Sequence, residues 1–248
     1  MLTGGRMLFA YRNRARCARV PLLVIVLIGL LAGCATATHR QTAELQRAQG
    51  VSHIVLMPLD VELSELGPFS QEPNAAWTQQ AQKNMHAALA EEALSRKVEL
   101  VDFDPNRGTP GDREMGLDLV KLHRAVCSAI LLHKYSPVYA LPSKKGKFDW
   151  SLGQEAAAIA RSQNADYAMF LYVRDSYATA GRKALIAVTA PLTKFVVWGG
   201  SQLGFASVVD LRTGDIVWFN RLDRLSGDLR TPEAARETVN ALVGDSMK

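Results

Sequence analysis

His53-Ile54-Val55-Leu56-Met57-Pro58 is an apolar run that ends at a proline, and it is typical of a buried β-strand. From about Ala75 to Arg96, apolar residues recur at helical spacing. Val98-Glu99-Leu100-Val101-Asp102-Phe103 predicts a second strand. Because a strand, a helix and a strand in succession usually pair in parallel through a right-handed crossover, this stretch predicts an α/β fold.

A second decisive pattern lies nearer the C-terminus. Leu203–Leu211 and Asp215–Asp223 are two strand candidates, and Arg212-Thr213-Gly214 joins them as a tight hairpin turn. A loop containing Gly67, Pro68 and Pro73 follows the first strand. Capping residues and periodicity predict a helix over 112–133 that is capped by Asp112, a helix over 151–162 with a capping box at Ser151, and a helix starting after Thr231. A further strand is predicted over 166–174. We therefore expect an α/β domain over residues 51–248, with a mixed sheet of about five strands in two or three layers.

The N-terminus does not resemble part of a globular core. Five arginines and no acid occur before the apolar run Val20–Leu31, which at about 12 residues is shorter than the roughly 20 needed to span a bilayer as a helix. A basic region, a short apolar run and small residues predict a secretory signal over residues 1–33. A membrane anchor that is not cleaved is the alternative.

The end of this signal predicts its type. Leu31-Ala32-Gly33-Cys34 resembles the lipobox of bacterial lipoproteins, in which cleavage falls between Gly33 and Cys34 and the Cys34 thiol is acylated. Cys17 does not fit, because Arg16 precedes it and the apolar run follows it. Ala35 and Thr36 follow the cysteine, and the resemblance then implies export to the outer membrane, with the chain facing the periplasm. Residues 34–50 are polar and small and predict a lipidated tether.

Cleavage would change the charge of the protein. The full chain has 29 Lys and Arg against 24 Asp and Glu; five arginines leave with the signal, so the mature chain has 24 of each. A neutral domain gives no support to whole-surface attraction of nucleic acid. With Cys34 acylated, Cys127 is the last cysteine, and its apolar neighbours predict a buried structural thiol.

The strand–helix–strand opening, together with the hairpin Asp210-Leu211-Arg212-Thr213-Gly214-Asp215-Ile216-Val217-Trp218, resembles the periplasmic α/β domain of curli-secretion-channel-type lipoproteins. A related fold occurs in the N-terminal domain of the TolB translocation protein and in lipoprotein activators of penicillin-binding proteins. Small outer-membrane lipoproteins of unassigned function are also similar. The resemblance implies a non-enzymatic protein that binds other envelope proteins. Because the two long amphipathic hairpins of a curli-type channel are missing, a secretion pore is disfavoured.

Catalytic and cofactor motifs are scarce in the sequence. No phosphate loop and no GxGxxG after a strand occurs, so no cofactor is expected. Gly199-Gly200-Ser201-Gln202-Leu203-Gly204 lacks the spacing of a hydrolase elbow, and a turn is the preferred interpretation of Ser201. Asp102 and Asp104 straddle a strand end, where loop capping is preferred to acid–base chemistry.

The sequence gives little support for a metal site. His123 and Cys127 lie four residues apart on one helical face, and His133 is near in sequence. Zinc needs three or four ligands in tetrahedral geometry, whereas this trio is loose. We expect no metal, and histidines at the solvent edge beside a core cysteine.

Two segments are candidate partner-binding sites. The first, Tyr139–Trp150, places three lysines among three aromatic residues; its candidates are Tyr139, Lys144, Lys145, Lys147, Phe148 and Trp150. A solvated lysine turn with its aromatics in the core is the alternative. The second, residues 182–198, is almost continuously apolar, and its candidates are Leu192, Phe195 and Trp198. It fits a buried helix, an oligomer interface or a membrane-contacting element.

The sequence therefore predicts a lipid-anchored, non-catalytic protein of the outer membrane that binds other envelope proteins and forms a homo-oligomer. An envelope hydrolase with an unrecognised site is one alternative, and a subunit of an oligomeric secretion or assembly complex is another.

Overall fold

The predicted hairpin organises the largest part of the sheet. A computed structural model describes residues 37–42, 53–189, 200–225, 228–244 and 246. Within them lie eight strands of one mixed sheet: β1 (Ala37–Thr42), β2 (Ile54–Leu56), β3 (Asp60–Leu66), β4 (Gln71–Pro73), β5 (Leu100–Asp102), β6 (Tyr167–Ala178), β7 (Gly200–Asp210) and β8 (Ile216–Arg224). The main strand order is β1-β8-β7-β6-β2-β5. The predicted α/β class and mixed sheet are confirmed.

The turn between β7 and β8 depends on glycine. Gly214 has φ +78°, a left-handed conformation that costs other residues free energy. A Cβ at this position would also collide with the backbone carbonyl of Gly153. Gly214 accepts a hydrogen bond from Leu152 N (2.8 Å), so the turn is held against the segment that follows Trp150.

The parallel half forms by the predicted crossover. β2 and β5 are parallel neighbours joined through α1 (Ala75–Ser95), and β2 is also parallel to the start of β6. β3 pairs in parallel with the end of β6 and forms a hairpin with β4. The loop expected around Gly67 was therefore wrong in part, because the long β6 offers a second partner to a chain that resumes as a strand after Pro58.

Four more helices complete the described chain: α2 (Pro110–Tyr135), α3 (Ala157–Gln163), α4 (Ala180–Thr189) and α5 (Pro232–Val243). Thr231 caps α5 as predicted. Thr109, rather than Asp112, caps α2, and Asp112, the third residue of the helix, completes the capping box. The capping box predicted at Ser151 does not form, because Ser151 bridges Asp215 and α3 begins only after a 3-10 turn at Gln154–Ala156.

The helices cover both faces of the sheet and give three layers. On one face, α1 and α5 bury Met85, Leu89 and Val239 against residues such as Trp218. On the other face, α2 and α3 bury a second cluster that includes Leu119, Cys127, Ile130, Ile159, Phe170, Phe205 and Phe219. Burial of these two apolar clusters is the main stabilising contribution to the fold.

The sheet has more strands than expected. β1 lies within the stretch predicted as a tether and pairs antiparallel with β8, from Ala37↔Asp223 to Thr42↔Trp218. The sequence showed no strand there, because its polar residues lack the apolar alternation by which strands are recognised.

The two ends of the sheet carry different elements. The end of β3, the end of β6 and the start of β7 lie together, through the pairs Leu66↔Ala178 and Gly200↔Tyr177. We call this the α4 end, because α4 follows β6 there. The opposite end carries the β7–β8 turn, and we call it the Gly214 end. Since β7 has 11 residues, the two ends are about 34 Å apart.

Candidate interaction surfaces

The basic-aromatic loop leaves α2 at Tyr135 and returns to the sheet at Trp150. Lys144 holds it together: its Nζ donates to Asp149 O (2.9 Å), forms an ion pair with Asp149 Oδ1 (3.0 Å) and lies 4.4 Å from the centre of the Trp150 ring. The hydrogen bond from Lys144 lowers the pKa of Asp149. Trp150 O accepts from Ile216 N (2.9 Å), which fixes the end of the loop to β8.

The aromatic candidates of this loop divide into two groups. Phe148 and Trp150 are half-buried and pack against the core on the α2 face, with the Phe148 ring 6.1 Å from that of Phe219. Tyr139 instead is 57% exposed. Its backbone carbonyl is bonded to His133 Nδ1 (2.6 Å), so the exposed ring stands on a fixed backbone.

The exposed part of the loop is a mixed apolar and basic surface. Val138 is 85% exposed beside Tyr139, and Lys145 and Lys147 are also exposed. We call Val138, Tyr139, Lys145 and Lys147 the loop surface. An exposed aromatic residue on a well-packed base suits protein recognition, because little conformational entropy is lost when it is buried. Of the six predicted candidates in this loop, Tyr139, Lys145 and Lys147 therefore remain available to a partner.

Only the first half of the apolar segment 182–198 is described. It lies in α4, where no residue is buried and Val188 is 67% exposed. Leu192, Phe195 and Trp198 lie outside the described residues. For residues 182–189 the structure contradicts the buried-helix interpretation, because none of the residues of α4 is buried.

The cysteine and histidine candidates of α2 do not form a metal site. His123 is fully buried, stacks on Phe170 (4.6 Å between ring centres) and shares a hydrogen bond with Ser207 Oγ (2.7 Å). The solvent-edge position expected for His123 was wrong, because α2 turns this residue onto the sheet. His133 is bonded instead to the loop backbone. Among the described residues, no group of three or more potential ligands could hold a metal ion.

Burial decides the chemistry of His123 and Cys127. It lowers the pKa of His123 to about 3, so the imidazole is neutral at physiological pH. It raises the pKa of the Cys127 thiol, which keeps the thiol protonated. The sequence prediction that Cys127 is buried is confirmed, and both groups have the properties of core residues.

Ser201 lies in a strand and not in the expected turn. Its hydroxyl faces that of Ser176 (3.3 Å), and its backbone N–H donates to Ser176 Oγ (3.1 Å). The nearby Asp175 is buried, which raises its pKa, and it accepts hydrogen bonds from Gln202 Nε2 (2.8 Å) and the Ser176 backbone (2.9 Å). This arrangement links strands β6 and β7, and among the described residues the hydroxyl of Ser201 is bonded to another serine and not to a base that could activate it.

Asp102 and Asp104 have separate partners. Asp104 Oδ1 accepts from Asn106 N (2.9 Å), which is the loop capping preferred for it. Asp102 Oδ1 lies 2.8 Å from His86 Nε2, a contact that the sequence did not indicate because the two residues lie on different elements.

A cleft of about 400 Å³ surrounds the His86–Asp102 pair at the carboxyl ends of β2 and β5. Phe103 and Leu117 form part of its apolar wall, and Arg113 adds a cation. Ligands often bind at such positions in α/β sheets. However, the lining residues within the described ranges include no Ser, Thr or Cys, so they offer the histidine no hydroxyl or thiol to activate as a nucleophile.

The predicted lipidation and cleavage residues, Cys34 and Gly33, lie outside the described residues. None of the helices in the described ranges combines the length and the apolar character that a membrane span needs.

Comparison with known proteins finds similarity only to solved structures, and that similarity is low. No protein-family model matches the chain, and no curated protein matches its sequence. Among solved structures, the chain is similar to the PelC dodecamer from Paraburkholderia phytofirmans, with 13% identity, coverage of 83% of this chain and 96% of that one, and a TM-score of 0.36. It is also similar to the LpoB C-terminal domain from Salmonella enterica, with 14% identity, coverage of 71% and 84%, and a TM-score of 0.24. At these identities and TM-scores the likeness assigns neither a family nor a function.

Proposed function

We propose that this chain is a lipid-anchored protein of the bacterial outer membrane whose α/β domain faces the periplasm and binds other envelope proteins without catalysing a reaction. The observation that carries the proposal is the sequence Leu31-Ala32-Gly33-Cys34 at the end of a basic and then apolar leader. Position, flanking residues and cysteine all agree with a lipobox.

The described residues favour binding over catalysis. The catalytic and metal candidates are each in a structural arrangement. Ser201 is bonded to another serine, and His123 and Cys127 are buried. Asp102 pairs with His86 in a cleft whose described lining has no hydroxyl or thiol nucleophile. The alternative of an envelope hydrolase therefore gains no support from these residues.

The loop surface supports a partner of this domain. Tyr139 and Val138 are exposed apolar groups, and Lys145 and Lys147 are exposed cations of the same loop. We therefore propose that the partner presents an apolar patch with acidic groups at its rim.

Lipidation is tested by metabolic labelling with an alkyne fatty acid. The Cys34→Ala variant should lose the label, because no other cysteine of the chain follows a lipobox sequence. Cys17→Ala is the matched control, since it removes another leader cysteine and should keep the label. Labelling that persists in Cys34→Ala refutes the lipid anchor.

Partner binding is tested with a photo-crosslinking amino acid at Tyr139 in intact cells. The control position is Leu94, which is 81% exposed at the end of α1 on the opposite face of the sheet. We expect a defined crosslinked species from position 139 that position 94 does not give, and mass spectrometry then identifies the partner. Equal crosslinking at the two positions contradicts the assignment of the loop surface.

A further inference from the structure

The α4 end carries an exposed aromatic residue on a rigid turn. β3 and β4 are joined by Gly67-Pro68-Phe69-Ser70, and Gly67 N donates to Ser70 O (2.9 Å) to close the turn. Phe69 at its tip is 95% exposed. An aromatic side chain on a hydrogen-bonded turn that leaves almost all of its area in water is a candidate contact site, because burying it against a partner surface is favourable.

α4 extends this apolar surface. Arg182 Nη1 donates to Gly67 O (3.1 Å) and Thr179 N donates to Leu66 O (2.9 Å), so the start of the helix is bonded to the β3–β4 hairpin. Leu185 and Val188 are exposed on this helix. We call Phe69, Leu185 and Val188 the apolar tip.

Charges of both signs accompany the apolar tip. Arg182 is half-buried with its guanidinium bonded to the hairpin, and Lys183 is exposed and interacts electrostatically with Asp228. Glu65 and Glu72 are opposite each other in the hairpin, next to the Leu66↔Gln71 pair. The exposed aromatic and aliphatic side chains, and not a net positive charge, are therefore what suit this surface to the interface of a phospholipid bilayer, where aromatic residues are enriched.

The proposed lipid is attached near this same end. Ala37 pairs with Asp223, and Asp223 pairs with Leu203, three residues into β7 from Gly200. The start of β1 is therefore within about 10 Å, along the strand direction, of the start of β7. Cys34 precedes Ala37 by three residues, so its lipid is attached no more than about 11 Å of chain from β1.

From these observations we infer that the apolar tip rests on the bilayer that holds the Cys34 lipid, with Phe69 inserted at the level of the headgroups. The inference rests on the proposed lipidation, which keeps the α4 end close to the membrane. A phospholipid surface is favoured as the occupant over a second copy of the chain, because the tip and the attachment point of the lipid lie at one end of the sheet.

The test uses the mature lipidated protein in vesicles of phosphatidylethanolamine and phosphatidylglycerol. A single cysteine is introduced by Phe69→Cys, by Val188→Cys or, as control, by Leu94→Cys, and labelled with a fluorescent dye. Leu94 is a suitable control because it is a similarly exposed apolar residue near the C-terminus of a 21-residue helix that leads towards the Gly214 end. Cys127 is buried and does not compete for the dye.

Lipids carrying a nitroxide on the headgroup or upper acyl chain then report proximity to the bilayer. We expect quenching of at least half of the dye emission at positions 69 and 188 and almost none at position 94. Equal quenching at 69 and 94 overturns the inference, and so does an absence of quenching at 69. Energy transfer between copies labelled at position 69, without nitroxide quenching, overturns it in favour of a contact between copies.

Mass spectrometry of the same sample separates the two proposals. If Cys34 is acylated and the dye at position 69 is not quenched, the lipid anchor stands and the membrane contact fails. If Cys34 is not acylated, the proposed function loses its anchor whatever the dye shows, and quenching at position 69 then indicates a membrane contact made without the lipid.

Discussion

His123 should make the stability of this domain fall in mildly acidic solution. Its imidazole is fully buried between α2 and the sheet, and burial lowers its pKa from 6.5 to about 3. The unfolded chain exposes the same imidazole, which then titrates near 6.5. Between these two pKa values the imidazole is protonated in the unfolded state and neutral in the folded state, so lowering the pH favours unfolding.

The size of the effect follows from the two pKa values. Above pH 6.5 the imidazole is neutral in both states and the free energy of unfolding does not depend on it. Below that value the loss is about 1.4 kcal/mol per pH unit, which gives about 2 kcal/mol between pH 7.5 and pH 5.0. Such a loss is a large share of the total stability of a typical domain, which is about 5–15 kcal/mol.

Urea unfolding at the two pH values, followed by tryptophan fluorescence, measures this loss. Carboxylates also titrate in this range, so the informative quantity is the difference between the wild type and His123→Gln, whose amide can still bond to Ser207. We expect the wild type to lose about 2 kcal/mol more than His123→Gln on acidification. Ser128→Ala, an exposed substitution on the same helix that removes no titratable group, is the control and should lose as much stability on acidification as the wild type does. Parallel losses in the wild type and His123→Gln would refute the burial argument.

Two further predictions concern the core and the β7–β8 turn. Cys127 should react with a thiol reagent in denaturant but only negligibly in the native protein, because its thiol is buried and its pKa is raised; fast native labelling contradicts this. Gly214→Ala should lower the free energy of unfolding by about 2 kcal/mol or more, since it adds backbone strain and a collision with Gly153. Gly146→Ala is the control, because Gly146 has the same φ of +78° but open space where the new methyl would lie. It should lower the free energy of unfolding, measured in urea, only by the backbone strain of about 1 kcal/mol. Equal decreases in the two variants would exclude the collision with Gly153.

Local chemistry made part of the fold predictable. The apolar run before Pro58, the helical spacing after Ala75 and the glycine at position 214 each act within a few residues, and the structure has a strand, a helix and a turn at those places. β3 was missed although Asp60-Val61-Glu62-Leu63-Ser64 alternates between polar and apolar residues, because this pattern covers only five residues and stops at Glu65. It becomes a strand through pairing with β6, more than a hundred residues away in the chain.

The interaction surfaces were predictable only as segments. Composition indicated that residues 139–150 and 182–198 were unusual, but it did not show which aromatic rings pack inward. Phe148 and Trp150 are covered because the loop returns to β8, whereas Tyr139 lies before that return and is exposed. Phe69 was missed, although an aromatic residue inside a Gly-Pro-Phe-Ser turn is a signal of exposure, because a turn leaves the side chain at its tip without neighbours.

The way the chain enters the sheet has a mechanical consequence. β1 pairs with β8 over six residues, and it starts near the α4 end and runs away from it. With lipid on Cys34, a pull on the domain away from the membrane acts along β1, while the ladder hydrogen bonds lie across the strands. Tension is then shared as shear by the whole ladder and does not open it one bond at a time. An anchor joined in this way should resist force far better than the same six pairs would if they were unzipped from one end.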